Sequence, residues 1–415
     1  MKAAITTPIP DVRMHGFHKR SEVSVVLDWI DHQARRLGAE SIPLEEACGR
    51  TLAAEVVAPL DVPGFDRAAM DGFALLGSET AGASEYNPLE FRVMGQAMPG
   101  QPYAGVLTAR SAVRIMTGAP VPDGADAVVP AEYATEAGGQ IVVTRPVAPG
   151  QHVGHRGEDL QLGSTALAVG RRLRPQDVGL VASLGLDGVS VVRRPRARLL
   201  VTGNEVRLPG APKGLYDVYD SNSYMLRGLI ARDGAVIESQ LRLGDDPDRI
   251  RAALMAPGAD VILVSGGSSV GREDYAPRLI AEIGDLAIHG VAMRPSSPAG
   301  LGRIGETLVF LLPGNPVSCL CAYEFFAGRA LRLLGGRPSE WPHRTQQALV
   351  ARKIVSAIGR VDYCRVRLID GRVEPIALSG ASILSSTTRA DGFVIVPSNC
   401  EGYGPDASVT VFLYD

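Results

Sequence analysis

The chain has 415 residues, a formal net charge of −3 and 46% hydrophobic residues. It is too long for one small core, and its charge is too balanced for a general grip on nucleic acid. No apolar run approaches the roughly 20 residues of a membrane helix, and the N-terminus carries prolines and mixed charge instead of an apolar signal core.

Residues Ser21 to Leu37 carry Val23, Val26, Leu27, Ile30, Ala34 and Leu37 at helical spacing, with Gly38 as the stop. From Pro59 to Gly150 short apolar runs broken by Gly and Pro ("EFRVMG", "SAVRIMTG", "QIVVTRPV") predict a small β-rich domain. "LRPQDVGLVASLGLDGVSV" then reads as a helix with Asp177 near its start. "RRPR" at Arg193–Arg196 reads as a junction, with a nuclear signal or phosphate patch as the alternative.

From Ala197 the alternation is regular. "ARLLVTG", "AVIESQLRLG", "ADVILVSGG" and "TLVFLLPG" read as strands. "SNSYMLRGLIARDG", "DPDRIRAALMA", "REDYAPRLIAEIG" and "NPVSCLCAYEFFAGRALRLLGG" read as helices, the last capped at Asn315. Pro277 must sit in a first helical turn or bend its helix. Strands alternating with helices imply a largely parallel sheet wrapped on both faces. After "GGRP", the runs "VDYCRVRLI", "DGFVIVP" and "SVTVFLYD" predict a second β domain. The five cysteines (Cys48, Cys319, Cys321, Cys364, Cys400) show neither zinc spacing nor a disulfide framework, which points to a reducing, cytoplasmic compartment.

In a parallel α/β sheet ligands bind outside the carboxyl ends of the strands. Here those ends read "VTGNE", "LGDDP", "VSGGSSVGREDY" and "LLPGNPVS". Glycine-rich turns let backbone N–H groups approach an anion, and a helix N-terminus adds a favourable dipole. Ser265, Gly266, Gly267 and Ser268 thus form a candidate phosphate cradle, with Glu205, Asp245 and Asp274 as hard oxygen ligands suited to magnesium. Each element also has a plain reading. Asp245 and Asp246 can cap the next helix, and Pro-Gly-Asn-Pro is good start chemistry without a ligand. No Gly-Lys-Ser/Thr follows, so the Walker pattern is absent from these loops. His152 and His155 read as solvated, since no third ligand stands nearby.

"SGGSSVGREDY" and "LLPGNPVS", together with "DVPGFDRAAMDGFA", "RIMTGAPVPDGADAVVPAE", "GHRGEDLQLGS" and "VTGNEV", resemble the molybdopterin molybdenumtransferases, the family that includes the C-terminal domain of gephyrin. The resemblance runs from about Val23 to the C-terminus. It implies an α/β multi-domain fold: a linker region in two parts (1–60 and 149–194), a β-rich domain (61–148), a parallel α/β molybdopterin-binding domain (195–338) and a C-terminal β domain (339–415). It implies an enzyme that inserts molybdenum from molybdate into adenylated molybdopterin and releases AMP, aided by Mg2+. The alternative is a catalytically weak carrier of the finished cofactor on the same fold.

The resemblance also carries roles. Asp71, Thr117, Asp159, Glu205, Asp245 and Asp274 match catalytic positions, the last three of them cation-binding. Pro313, Gly314, Asn315 and Pro316 match a ligand-binding turn; Arg294 and Ser297 match substrate-binding positions. Arg365 and Ser382 match positions of the molybdate region, where an Arg with hydroxyl partners suits an oxyanion. Without the family, Asp71 reads as a turn cap, Thr117 as bonding its own loop and Arg365 as a solvated charge on an alternating strand. Because the matched residues are spread over several domains, the resemblance implies a cleft built between two subunits of a homodimer. It also implies transient contact with the molybdopterin adenylyltransferase and recipient molybdoenzymes, and no nucleic-acid or membrane partner. Departures from the family pattern fall at Arg67 and Ala68 (often Asn-Ser), at Asn204 (often Asp), and at Gly290 and Ser297 (commonly lysines), while Arg294 keeps one positive charge.

Overall fold

The computed structural model describes residues 20–268, 274–377 and 380–414. The chain divides into two compact units: one holds 1–40, 49–53 and 191–415, the other 41–48 and 54–190. In chain order, α1 is Val23–Gln33; β1 Gly72–Leu75, β2 Leu89–Ala97, β3 Ser111–Ile115, β4 Ala127–Pro130, β5 Ala134–Ala137, β6 Gln140–Val143 and α2 Pro175–Ser183 follow. Next come β7 Arg196–Thr202, α3 Asn222–Arg232, β8 Val236–Leu243, α4 Pro247–Met255, β9 Val261–Ser265, α5 Ala276–Ile283, β10 Asp285–His289, β11 Gly300–Ile304, β12 Thr307–Leu312, α6 Pro316–Ala322 and α7 Gly328–Leu334. The last strands are β13 Thr345–Val350, β14 Val361–Ile369, β15 Arg372–Ala377, β16 Gly392–Val396 and β17 Ser408–Leu413.

The smaller unit is built on a six-stranded sheet ordered β4-β1-β3-β2-β6-β5. Phe73, Leu75, Phe91, Val129, Ile141 and Val143 fill one face of it. β1 and β4 are apolar throughout and buried on both faces, so neither shows the alternation that marks a half-exposed strand.

The larger unit is built on two six-stranded sheets. The first is ordered β8-β7-β9-β12-β11-β10, parallel through its first four strands and antiparallel at β11 and β10. The expected parallel sheet therefore carries an antiparallel edge. A two-residue turn returns β12 against β11, and only antiparallel neighbours can be joined so tightly. Every residue of β9 is buried, since strands flank it and helices cover both faces. Leu263 is fully enclosed, and truncating such a Leu to Ala costs about 2–5 kcal/mol.

α1 packs Val23, Val26 and Ile30 inward, one helical stripe, and ends at Gln33, earlier than the periodicity through Leu37 suggests. Its Asp31 pairs bidentately with Arg329 of α7 (Nε–Oδ1 2.6 Å, Nη2–Oδ2 2.6 Å). The run from Pro316 to Leu334 is one helical passage interrupted by a π turn at Tyr323–Ala327. That turn buries Glu324, which accepts from Arg232 (2.7 and 3.0 Å) with His343 Nε2 at 3.4 Å. Arg232 and His343 overcome the burial that would raise its carboxyl, holding the pKa at about 2. Asp233, fully buried, is met by Tyr323, Arg332 and Arg232. Buried charge persists only when paired in this way.

The second sheet runs β14-β15-β13-β17-β16, with the two-residue strand Met293–Arg294 added in parallel beside β14, and closes by pairing β16 with β14, so it has the form of a small barrel. "RRPR" leads from the strand Gly188–Val192 into β7: Arg193 forks onto Asp260 (2.8 and 3.0 Å), which also accepts the Arg196 N–H at 2.7 Å.

Candidate functional site

The carboxyl ends of β7, β8, β9 and β12 converge on a cleft of about 670 Å³. It is lined by Glu205, Asp245, Ser265, Gly266, Gly267, Ser268, Asp274, Pro313, Gly314, Asn315, Pro316 and Ser382. Most of the expected substrate-side residues are thus brought into one wall. Glu273, the other acid of "REDY", lies outside the described residues.

The Gly-Gly turn is bare for a local reason. Gly266 and Gly267 have φ of +93° and +57°, a region that disfavours a side chain. A Cβ on Gly266 would stand 2.6 Å from the Thr202 carbonyl, and one on Gly267 2.9 Å from Thr202 Oγ1. The turn folds tightly over the end of β7 and hands the chain from β9 to the cleft floor. Gly266 N–H also donates to Leu312 O at 3.1 Å, so the ends of β9 and β12 stay in register.

The acids are held differently. Asn204 and Asp245 clasp one another: Asn204 N–H donates to Asp245 Oδ2 at 3.0 Å, and Asp245 N–H to Asn204 Oδ1 at 3.2 Å. Asp245 is therefore not the helix cap; Asp246 is, accepting from the N–H groups of Asp248 and Arg249. Asn204, the departure from an acid, accepts a backbone proton there as an Asp would. Glu205 is exposed and Asp274 half-buried. Among the described residues no three His, Cys, Asp or Glu side chains gather into a group able to enclose a metal ion by themselves. Glu205, Asp245 and Asp274 share one cleft without closing a cage.

Residues that sequence reasoning missed complete the wall. Thr202 and Asn222, buried at 4% and 7% exposure, line the cleft, as does Asp220, which accepts from Ser223 N–H (2.9 Å) and Oγ (2.6 Å) at the start of α3. Thr202 Oγ1, Ser268 Oγ and Asn222 Oδ1 are buried with no hydrogen-bond partner among the described residues. Such atoms are rare in folded proteins and mark where a ligand or solvent belongs. His289 donates through Nε2 to Ser268 O (2.9 Å); burial lowers its pKa, opposed by that bond and by Asp274. Behind Ser265, burial pushes the Cys319 thiol up to about 12, so it is no nucleophile at neutral pH.

A second cleft of about 700 Å³ shares Pro298, Pro313 and Asn315 with the first. Arg20, Arg294, Arg360 and Ser297 line it. Arg294 and Arg360 both pair with fully buried Asp362, the latter at 3.1 Å, and Ser356 Oγ donates to the same carboxylate at 2.8 Å. The positive wall is thus set by a buried acid. Asn315 sits at the N-cap position of α6, yet its side chain makes no capping bond and faces both clefts. Ala381 O accepts the Val317 N–H at 2.9 Å, which brings the Ser382 loop to that helix start. Arg365 is fully buried on β14 and lines neither cleft. Its reading as a solvated charge fails because β14 is enclosed within the barrel.

In the smaller unit, Asp71 and Thr117 meet. Asp71 Oδ1 accepts from Thr117 N–H and Oγ1, each at 2.7 Å, and those bonds, the backbone one first, hold its carboxyl below the usual range. Asp71 is thus no local turn cap, and Thr117 bonds across 46 residues of sequence rather than to its own loop. Asp159 is exposed on a loop anchored by its own N–H to Val62 O (3.0 Å). Asp61, on the facing segment, accepts from Arg156 Nε (2.6 Å) and Leu162 N–H (2.7 Å). Arg67, a departure from the family pattern, pairs with Glu158 at 3.4 Å. His155 stands 3.6 Å from Asp66, both largely exposed, and His152 is half-buried.

Residues 21–185 match the MoeA N-terminal region (domain I and II), 198–332 the probable molybdopterin binding domain, and 347–414 the MoeA C-terminal region (domain IV). Molybdopterin molybdenumtransferase 2 of Mycobacterium tuberculosis is 38% identical over 338 residues, 79% of this chain and 83% of that protein. Molybdopterin molybdenumtransferase of Bacillus subtilis is 32% identical over 396 residues, covering 92% and 91%. A crystal structure of the molybdopterin biosynthesis moeA protein from Pyrococcus horikoshii superposes with a TM-score of 0.82 at 30% identity, covering 95% of this chain and 100% of that one.

Proposed function

This chain belongs to the MoeA family and is an enzyme of molybdenum cofactor biosynthesis, and on that premise we propose that it inserts molybdenum from molybdate into adenylated molybdopterin with release of AMP. The observation that carries the proposal is the strand-end cleft, where buried hydroxyls of Thr202 and Ser268, without a hydrogen-bond partner among the described residues, lie beside the carboxylates of Glu205, Asp245 and Asp274. Hydroxyls and the bare Gly267 backbone suit phosphate oxygens; carboxylates beside them suit a cation or a water.

The donor set fits Mg2+ in the manner that ion prefers, through one or two carboxylates plus substrate phosphates instead of an all-protein cage. Glu205, Asp245 and Asp274 would hold it, and it would supply charge neutralisation at the phosphate oxygens as AMP departs. The clasp from Asn204 keeps one Asp245 oxygen committed and its orientation fixed. Asp274 and Glu205, in the same cleft, orient the attacking oxygen or the cation. Oxyanion binding falls to the second cleft, where Asp362 holds Arg294 and Arg360 in place and Ser297 offers a hydroxyl. Asp71 and Thr117, locked together, and Asp159 contribute from the smaller unit. The working form is a cytoplasmic homodimer that exchanges substrate and product with the adenylyltransferase and with recipient molybdoenzymes.

The test is AMP release from adenylated molybdopterin with molybdate and Mg2+, by wild type and Asp274→Ala, with reconstitution of an apo molybdenum enzyme in parallel. Release that requires molybdate, yields active cofactor and collapses in the folded variant supports the proposal. Tight binding without release by either protein sinks it and leaves a cofactor carrier.

A further inference from the structure

Asn222 opens α3 and reaches across two strand ends. Its Nδ2 donates to Ser265 Oγ at 2.9 Å and to Gly314 O at 2.8 Å. A backbone carbonyl can only accept, so the bond to Gly314 fixes which end of the carboxamide faces it. The other end, Oδ1, is buried, lines the cleft and has no partner among the described residues.

This oxygen differs from its two unpaired neighbours in one respect. Thr202 Oγ1 and Ser268 Oγ carry a proton and can serve a phosphate as donors. Asn222 Oδ1 has none to give. Phosphate, dithiolate and molybdate offer only acceptors and cannot satisfy it. A group that can must bring an N–H or O–H to the cleft floor, and a buried acceptor left facing a ligand without one penalises that ligand. The amide is also held rigidly by both its donors, so it cannot swing away to adapt.

We infer that Asn222 is a specificity-determining residue that reads the N–H edge of the substrate's heterocycle. The inference rests on the functional reading above, which supplies a ligand with two such rings, adenine and pterin. One amide oxygen reads one edge, so only one of the two rings meets it.

Equilibrium binding of AMP and of unadenylated molybdopterin to the full chain, wild type and Asn222→Ala, tests this. One ligand should lose about tenfold in affinity and the other change less than twofold, tenfold being 1.4 kcal/mol. Loss on the AMP arm, with weaker binding of purine riboside 5′-monophosphate than of AMP, places adenine at Asn222. The same loss with equal binding of the two nucleotides points to a ribose hydroxyl and overturns the inference. Loss on the molybdopterin arm places the pterin there. Equal loss on both arms, or on neither, overturns the inference. Failure of both ligands to bind wild type overturns the functional reading and takes the inference with it. A ligand-side comparison needs no variant, and carries the test if the Ala substitution unfolds the chain. On wild type, either AMP outbinds purine riboside 5′-monophosphate, which lacks the exocyclic amine, by about tenfold, or pterin outbinds its 2-deamino analogue by a similar factor. Equality in both pairs refutes the reading of a ring edge.

Discussion

Replacing Gly267 by Ala should weaken the larger unit by about 2–4 kcal/mol, and Thr202→Ala should return part of that loss. The first component is conformational: φ of +57° costs a residue with a Cβ about 1 kcal/mol. The second is steric, since the new Cβ would lie 2.9 Å from Thr202 Oγ1, and such overpacking costs roughly 1–3 kcal/mol. Deleting the hydroxyl removes the second component and leaves the first, so the double-mutant cycle should show a coupling of about 1–3 kcal/mol. Gly266→Ala is the control. Its Cβ would meet the Thr202 carbonyl at 2.6 Å as well as Thr202 Oγ1 at 3.0 Å. Thr202→Ala relieves only the second contact, so Gly266→Ala should stay strongly destabilising in that background and its coupling should be smaller than that of Gly267. Urea unfolding followed by tryptophan fluorescence reads this selectively, because both tryptophans, Trp29 and Trp341, lie in the larger unit. Equal couplings at the two glycines, or none at Gly267, would refute the argument that Thr202 is what keeps the turn bare.

Asp71→Asn removes the charge while leaving an oxygen that can still accept, and Thr117→Val removes the hydroxyl bond of the pair; molybdate-dependent AMP release should fall about 100-fold with little change in melting temperature, and full activity in either would remove the pair from the chemistry. Glu324 has its carboxyl lowered from 4.5 to about 2 in the fold, so its contribution is complete above the unfolded value and lost as pH falls from 4.5 through about 2. Acid unfolding by tryptophan fluorescence should show that loss, on the order of a few kcal/mol, and Glu324→Gln should flatten the profile there; an unchanged slope would contradict the ionised assignment. Cys48 alone among the five thiols is exposed, so a thiol reagent should consume one equivalent quickly while buried Cys319, Cys321 and Cys364 react only on unfolding; three fast equivalents would contradict the packing.

What the sequence disclosed best was chemistry carried by contiguous loops. "VTGNE", "LGDDP", "VSGGSS" and "LLPGNPVS" could be read as ligand-facing because strand ends in a parallel sheet share one edge, and the cleft gathers all four. Residues that act through distant partners stayed hidden. Asn222 reads as an ordinary helix start, and only folding sets its amide against Ser265 and Gly314. Thr202 looks like a strand terminus until the glycine turn lies on it. Arg365 misled because alternation marks two faces without saying that a closed barrel can bury a charged one. The antiparallel β10 and β11 were overlooked since β10 alternates over only five residues directly behind α5 and β11 is broken by glycines, and the π turn at Tyr323–Ala327 has no apolar signature distinct from an α-helix.

The bond between Asp31 and Arg329 spans 298 residues of sequence. At ribosomal rates of about 5–20 residues per second, α1 emerges roughly 15–60 s before the helix that covers it. During that interval Val23, Val26 and Ile30 form an apolar stripe on a nascent chain with its lasting partner still unmade. The smaller unit, encoded between them, has time to fold first, and the larger one is completed only when synthesis nears its end. Slowing elongation therefore prolongs the exposure of α1, and the chain's yield becomes a matter of timing and of what shelters that stripe as well as of final stability.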